Sequence, residues 1–269
     1  MTTRAQLWAA EAHGSLWQPD GAGWRARIGV LTPHFDGVPE SECWMMAPPG
    51  VSIYAARVPV VDARTFAPLQ ADQVAPHIDT AAELLAAAPL HAIVYAFASS
   101  SYLSGPEADT ALKARLEQRT RGIPVVLPAV AAVEALRVCG LRRLALILPP
   151  WFGDEVTQAG AAYFRGHGFD VVHAGAVEPA RGFREVHAGE LYEWARKQVP
   201  AEADAVFFGG NGLRAIGVIR ALEEDLNCTV LTANQVALWQ ALRYSGTRSP
   251  VSGYGRLFTQ QGGVDSQAP

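Results

Sequence analysis

Short apolar runs alternate with longer stretches of helical spacing along most of the chain. The apolar runs are rich in Val, Ile, Leu and Phe, which is typical of parallel strands that helices cover on both faces. The predicted strands are Ala26–Leu31, Val51–Val58, Ala92–Ala96, Val125–Leu127, Leu144–Leu148, Asp170–Ala174, Ala205–Phe208 and Val230–Thr232. Helices are predicted near 72–88, 106–121, 129–139, 153–167, 188–198, 212–225 and 234–245.

The order of these elements repeats along the chain. A strand, a loop, a helix, a strand and a break rich in Gly, Ser or Asn occur both before and after Gly122. This predicts an α/β fold of two similar lobes with mainly parallel sheets, flanked by helices, and a ligand cleft between the lobes. We expect an N-terminal extension over 1–26, a first lobe over 27–124 plus 232–258, a second lobe over 125–231 and a frayed tail over 259–269.

Composition excludes several classes of function. Hydrophobic residues make up 49% of the chain and charged residues 18%, which is enough apolar content for a sizeable core. The net charge is −4 and no basic stripe occurs, which argues against nucleic-acid binding. No apolar run reaches the roughly 18 residues of a membrane span.

The cysteines and the first residues of the chain bear on its location. Cys43, Cys139 and Cys228 are isolated, without a CxxC pair or the spacing of a zinc site. The N-terminal residues lack the apolar core of a secretory signal. We therefore expect a cytoplasmic protein with reduced thiols.

Polar or irregular residues follow five of the predicted strands. Ligands of parallel α/β sheets bind at the carboxyl ends of strands, so these positions predict the site. They are Thr32–Asp36, Ser99–Ser101, Pro149–Trp151, Gly209–Gly212 and Thr232–Gln235.

Two of these strand ends suit an anionic ligand. Ser99, Ser100 and Ser101 offer hydroxyl and backbone N–H donors at a helix start, although such a run also caps a helix and fills space. The Gly209–Gly212 sequence allows close approach of a ligand, as any tight turn does. It is not a GxGxxG motif and no histidine has metal-ligand spacing, so we expect no nucleotide cofactor and no metal.

Acid–base chemistry is suggested by the loop after the first strand. Asp36 and His34 lie there, with Glu40 and Glu42 close by. A histidine and carboxylates in one loop suit proton transfer, whereas a solvated polar loop is the alternative, and it is the one we favour for Glu40.

At these same segments the chain resembles the Asp/Glu racemase superfamily, and most closely its branch of maleate cis-trans isomerases and arylmalonate decarboxylases. RIGVLTP…PESECWMMAPPGVSIYAARV resembles the isomerase opening, in which an ExE pair precedes an MxPxGVSxxxxRV signature. VYAFASSSYLSG and ADAVFFGGNGLRAI resemble the two strand ends at which that branch carries its cysteines. VLTANQVALWQALRYSG resembles its last strand and helix.

The resemblance implies two α/β lobes with a cofactor-free site between them, the last strand and helix returning to the first lobe. It also implies small carboxylate substrates, which the family handles by thiolate attack or by proton transfer next to a carboxylate. The chain departs from the family pattern at four positions. Phe97 and Gly210 replace the paired cysteines, Asp36 replaces an Asn, and Trp151 replaces a Tyr.

Two hypotheses follow. In the first, the chain is a cysteine-independent isomerase, decarboxylase (lyase) or hydrolase of a small carboxylate, with Asp36 or His34 transferring the proton. In the second, it is a non-catalytic relative that binds a carboxylate. In both, the expected ligand contacts are Phe97, Ser99, Ser100, Ser101, Trp151, Gly210, Asn211 and Gly212, and we expect a homo-oligomer.

Overall fold

The structure is a computed structural model that describes residues 22–60, 71–178 and 186–259. The expected N-terminal extension up to residue 21 and the tail from residue 260 lie outside these residues. Within them, strands occur at all eight predicted places. They are β1 (Ala26–Pro33), β2 (Val51–Val58), β3 (Ala92–Tyr95), β4 (Val125–Val126), β5 (Arg143–Leu148), β6 (Asp170–Ala176), β7 (Ala205–Phe208) and β8 (Thr229–Thr232).

The strands form two sheets of the same design. The first sheet has the order β2-β1-β3-β4 and the second the order β6-β5-β7-β8, and the paired strands are parallel in both. In each sheet the chain starts on an inner strand, moves to the adjacent edge, and then crosses over to the other side. This repeat confirms the predicted α/β fold of two similar lobes.

Helices cover the sheets. They are α1 (Val38–Met46), α2 (Ala71–Leu85), α3 (Ala98–Arg119), α4 (Pro128–Val138), α5 (Asp154–Gly166), α6 (Ala188–Gln198), α7 (Ile219–Leu226) and α8 (Ala233–Tyr244). Short 3₁₀ turns span Ile216–Val218 and Arg256–Phe258. None of the helices in the described ranges combines the length and the apolar content needed to cross a bilayer.

Three helices differ from the sequence prediction. Helix α7, predicted over 212–225, begins only at Ile219, after the 3₁₀ turn Ile216–Val218. Helix α3 starts at Ala98 instead of near 106, because the serine run is already helical and Gly105 only kinks the helix, with a φ of 81°. The sequence marks this kink as a start, since Pro106 suits a first helical turn. Helix α1 was not predicted, because it has nine residues and directly follows the polar loop that ends at Gly37.

The sheet faces divide the core into two parts. Along β3 and the residue after it, Ala92, Val94 and Ala96 belong to a large core that also contains the buried residues of the second sheet. The alternate residues Ile93 and Tyr95 belong to a smaller core beneath α2 and α3. The shared large core joins the lobes, and α3 packs along α5 beside it.

Two expectations about the division between the lobes are wrong, because the strands divide between the two sheets in chain order. Strand β4 was expected in the second lobe, but it pairs with β3 in the first sheet. The last strand was expected to return to the first lobe, but β8 pairs with β7 in the second sheet. Only helix α8 returns, and it packs against α1, α4 and β3.

Candidate active site

The ends of the strands meet at the boundary between the lobes. The backbone N–H of Ala98, at the start of α3, donates to Asn211 Oδ1 in the loop after β7 at 3.0 Å. The Tyr102 hydroxyl, one turn further along α3, donates to the carbonyl of Gly209 at 2.9 Å. The predicted strand ends of the two lobes are therefore in direct contact.

The serine run offers fewer free donors than its sequence suggests. The Ser100 hydroxyl donates to the carbonyl of Phe97 at 2.8 Å, and the Ser101 hydroxyl donates to Asp109 Oδ1 at 2.7 Å. The Ser99 hydroxyl forms no hydrogen bond with another residue that the structure describes. Of the three serines, Ser99 is the one whose hydroxyl remains available to a ligand.

Asp109 lies on α3 with Ser101 and also bonds to the second lobe. Its Oδ2 accepts a hydrogen bond from the Tyr163 hydroxyl of α5 at 2.8 Å. Burial raises the pKa of Asp109, while the bonds from Ser101 and Tyr163 act in the opposite direction. This carboxyl therefore holds the first turns of α3 in place behind the site.

Asp36 and His34 occupy different environments. Asp36 is buried, its Oδ1 accepts the backbone N–H of Val38 at 2.9 Å, and its carbonyl accepts the Arg57 guanidinium at 2.6 Å. His34 is exposed, and its Nδ1 accepts the backbone N–H of Val60 at 3.2 Å. Asp36 is therefore the fixed carboxylate of this loop, whereas His34 lies at its edge.

The two aromatic side chains that were expected to contact the ligand differ in burial. Phe97 is 4% exposed and stacks on Tyr95 with ring centroids 4.5 Å apart, within the smaller core of the first lobe. Trp151 is half-buried and packs edge-on against Phe152. Phe97 thus fills space beneath α3, and of the two rings Trp151 is the more exposed.

Gly210 lies too close to the chain after β5 for any side chain. A Cβ atom at this position would lie 2.2 Å from Pro149 Cγ and 2.6 Å from Pro149 Cδ. Neighbouring Gly209 is equally confined, because a Cβ there would lie 2.5 Å from the Tyr102 hydroxyl oxygen. The second cysteine position of the resembled family is therefore closed as well as substituted.

None of the three cysteines has the environment of a reactive thiol. Burial raises the pKa of Cys43 and of Cys139, and it raises that of Cys228 to about 11. A thiolate is the reactive form, so these environments oppose nucleophilic chemistry at neutral pH. The described residues also contain no group of His, Cys, Asp and Glu arranged to hold a metal ion.

Glu42 lies on α1 and is 5% exposed, and it was not among the site residues predicted from the sequence. Its Oε2 accepts Asn234 Nδ2 at 2.7 Å, and its Oε1 accepts the backbone N–H groups of Ala215 and Ile216 at 3.0 and 3.3 Å. Asn234 in turn bonds twice to Asn211. The available signal was the ExE pair, whose second Glu falls on the buried face of a helix that was not predicted.

Burial, together with a smaller effect of the nearby Asp36 carboxylate, raises the pKa of Glu42 to about 7. The hydrogen bonds from Asn234, Ile216 and Ala215 favour the ionised form and oppose that shift. Glu42 therefore titrates near neutral pH, and with Asp36 it forms a pair of carboxyl groups at the start of α1.

A family model described as arylmalonate decarboxylase matches residues 28–258 of the chain. The chain belongs to the arylmalonate decarboxylase family. It is 25% identical over 169 residues to the arylmalonate decarboxylase of Bordetella bronchiseptica, covering 60% of this chain and 68% of that protein. The predicted resemblance to the branch of maleate isomerases and arylmalonate decarboxylases is thereby confirmed.

Solved structures share the fold. A variant of the maleate isomerase Iso from Pseudomonas putida S16, solved with maleate, has a TM-score of 0.77 at 18% identity, over 87% of this chain and 97% of that one. A maleate cis-trans isomerase mutant from Nocardia farcinica, with a covalently bound succinylcysteine intermediate, has a TM-score of 0.76 at 22% identity, over 87% and 98%. Unliganded arylmalonate decarboxylase has a TM-score of 0.74 at 22% identity, over 87% and 99%.

The contact at Gly210 generates a prediction about stability. Gly210→Ala is expected to lower the free energy of unfolding by about 1–3 kcal/mol, because the new methyl group overlaps a rigid proline ring. Pro149→Ala removes the two overlapping atoms, so the double variant should lose less stability than the sum of the single variants. Urea unfolding of the four proteins measures this coupling.

Gly217→Ala is the matched control, since a Cβ there meets its nearest atom only at 4.0 Å. It should change the free energy of unfolding much less than Gly210→Ala does. Strict additivity of Gly210→Ala and Pro149→Ala would show that the proline does not close this position.

The raised pKa of Glu42 generates a prediction about pH. Between its ordinary value of 4.5 and about 7, the folded state binds more protons at Glu42 than the unfolded state does. The free energy of unfolding from this group therefore falls as pH rises through that window, by up to about 3 kcal/mol, and is constant above it. Glu42→Gln should remove this part of the slope.

The measurement is urea unfolding of wild type and Glu42→Gln at several pH values between 4.5 and 8. Burial also raises the pKa of Asp109 and of Glu223, so only the difference between the two proteins isolates Glu42. Parallel pH profiles for wild type and variant would mean that Glu42 titrates at its ordinary value.

Proposed function

We propose that this protein is a cofactor-independent enzyme that acts on a small carboxylate by proton transfer without a thiol, as an isomerase or a decarboxylase. The observation that carries the proposal is a pair of neighbouring buried carboxyl groups, Asp36 in the loop after β1 and Glu42 on the helix that follows it. Membership of the arylmalonate decarboxylase family supports chemistry at a carbon next to a carboxylate. Because of this family membership, we also propose small carboxylates as the ligands.

Cysteine independence is supported by the positions that lack a thiol. In the Nocardia farcinica isomerase mutant a cysteine carries a covalently bound succinyl group. The strand ends of this chain that resemble the cysteine-bearing segments of the family hold Phe97, which packs into the core, and Gly210, which Pro149 confines. The three cysteines of the chain are elsewhere, and burial raises the pKa of each.

The proposed chemistry uses Asp36 as the proton carrier. Its carboxylate takes a proton from the carbon next to a substrate carboxylate, and the electron pair of that C–H bond moves into the carboxylate to form an enediolate. The Ser99 hydroxyl donates to the developing oxyanion at the start of α3. Protonated Asp36 returns the proton to carbon, so proton and charge balance over the cycle. In a decarboxylation, the electron pair of the broken C–C bond forms the enediolate as CO₂ leaves, protonated Asp36 gives its proton to the carbon, and water reprotonates Asp36 for the next cycle.

A protein without cysteine tests the thiol part of this proposal. The variant with Cys43→Ala, Cys139→Ala and Cys228→Ala should keep turnover within about threefold of wild type, because no thiol takes part. The measurement is a screen of small carboxylates that includes maleate and phenylmalonate, with product detection by NMR. Loss of turnover on Cys43→Ala alone, in a protein that is still folded, would identify a nucleophile that the proposal omits.

Asp36→Asn tests the proton carrier. The amide keeps an oxygen for the Val38 N–H but cannot carry the proton, so turnover should be abolished. Affinity for the same carboxylate should stay within about tenfold, or about 1.4 kcal/mol. Calorimetric titration and product analysis measure the two quantities separately.

Asp204→Asn is the matched control, because Asp204 Oδ1 also accepts backbone N–H groups, from Arg142 and Arg143, outside the site. It should leave turnover unchanged. Wild-type turnover in Asp36→Asn would remove Asp36 from this role and leave His34 as the remaining candidate in the loop.

The second candidate function is carboxylate binding without catalysis. The crowding at Gly210 and the packing of Phe97 favour it, since both remove the reactive groups of the resembled family. Heat stabilisation of wild type by a carboxylate, without turnover across the whole panel, would support this candidate over the enzyme.

A further inference from the structure

Among the buried titratable groups, Glu42 is placed to control the geometry of the site without lying at a strand end itself. We propose that Glu42 is a positioning residue: it fixes the orientation of two asparagine amides and thereby holds the Asn211 loop of the second lobe against the start of α3 in the first. This inference rests on the proposed function only for what the two loops bind. The hydrogen bonds that carry it are all between described residues.

Hydrogen-bond donors surround the Glu42 carboxylate. Three donors point at its two oxygens: the Asn234 amide at 2.7 Å and the backbone N–H groups of Ala215 and Ile216 at 3.0 and 3.3 Å. Ionised Glu42, the form present above its pKa, satisfies all three because a carboxylate is an acceptor only. A glutamine in the same place would present its NH₂ group to at least one of these donors.

Asn234 also forms two hydrogen bonds with Asn211. Its Nδ2 also donates to the Asn211 carbonyl at 2.8 Å, and its Oδ1 accepts Asn211 Nδ2 at 2.8 Å. If this amide rotated by half a turn, its oxygen would face the Glu42 carboxylate and the Asn211 carbonyl. Its NH₂ group would then face that of Asn211. The carboxylate therefore permits one orientation of Asn234.

The orientation of the Asn234 amide sets that of the Asn211 amide, which reaches the opposite lobe. Because Asn211 Nδ2 is used by Asn234, Asn211 Oδ1 points at the backbone N–H of Ala98 and accepts it at 3.0 Å. Ala98 precedes Ser99, and Asn211 follows Gly210. One continuous path thus runs from an acceptor-only group on α1 to a donor at the start of α3, through two amides whose orientation it sets.

The location of this path distinguishes it from ordinary core packing. Glu42 and Ala98 belong to the first lobe, Asn211 belongs to the second, and Asn234 opens the helix that returns from one to the other. Glu223 provides the contrast: it is equally buried and accepts backbone N–H groups of Val230 and Arg256, but it has no bond to the site loops. It is the matched control for the same substitution.

Hydrogen exchange at the Ala98 amide, followed by NMR on the intact chain, tests the inference without needing a substrate. In Glu42→Gln, exchange at Ala98 should speed up by at least tenfold relative to the central β7 amides, because the Asn211 acceptor is no longer held in place. Glu223→Gln should leave the Ala98 rate within about twofold of wild type, even if global stability falls by a similar amount.

Reversing the donor and the acceptor provides a rescue. In the double variant Glu42→Gln with Asn234→Asp, the glutamine NH₂ donates to a carboxylate that still accepts Asn211 Nδ2. Ala98 exchange should return to within about threefold of wild type, although the bond to the Asn211 carbonyl is lost. Failure of this rescue, with both proteins folded, contradicts an orienting role for the carboxylate.

Asn234→Ala keeps the test decisive if Glu42→Gln does not fold. It cuts the path in the middle and leaves the two backbone donors on Glu42, so it should also expose the Ala98 amide. Unchanged Ala98 exchange in Asn234→Ala, or equal acceleration in Glu223→Gln, would falsify the inference. Absence of turnover in wild type would count against the proposed function alone, since the exchange rates do not depend on it.

Discussion

The hydrogen bond from the Ala98 N–H to the Asn211 side chain is the contact on which the arrangement of the site depends. Each sheet is parallel, so its strand ends, and the loops that follow them, gather at one edge. Parallel pairing alone gives two separate edges. The Ala98–Asn211 bond, with the bond from Tyr102 to Gly209, brings the two edges together and leaves little freedom in their spacing.

This close contact also explains why the departures from the family pattern occur together. With the Gly209–Asn211 backbone drawn against α3 and Pro149, a residue with a side chain does not fit at Gly210. Phe97, one residue before the cross-lobe bond, turns its ring into the smaller core. At both positions where the resembled family carries a cysteine, packing fixes the residue that is present. A single substitution of Phe97 or Gly210 by cysteine therefore does not recreate a thiol site.

Much of the fold follows from the sequence. All eight described strands fall where apolar runs predict them. The signal is clearest for inner strands such as β3 and β7, because strands buried on both faces need such runs. The division of the strands, with β1–β4 in one sheet and β5–β8 in the other, does not follow, since the two residues of β4 match either sheet in composition. Helix α1 was missed because nine residues carry too few turns for a helical period to show.

The site was predictable at the level of segments and much less at the level of side chains. The polar strand ends do meet, as the rule for parallel sheets requires. Which serine stays free depends on Asp109, eight residues beyond Ser101, and no sequence pattern shows that pairing. Glu42 and Asn234 are 192 positions apart and become partners only through the return of α8 to the first lobe.

Burial of the Glu42 carboxyl group lowers the stability of the folded state at neutral pH. A group whose pKa is raised from 4.5 to about 7 lowers the stability of the folded state by up to about 3 kcal/mol when ionised. A well-packed apolar residue on the inner face of α1 would avoid this cost, as replacement of buried ionic groups in other proteins shows. An apolar residue would, however, leave the donors of Ala215, Ile216 and Asn234 without an acceptor inside the protein. The buried charge therefore serves as the acceptor for a loop whose backbone N–H groups, those of Ala215 and Ile216, point into the protein. Turning them inward brings Asn211, and with it the second lobe, into reach of α3.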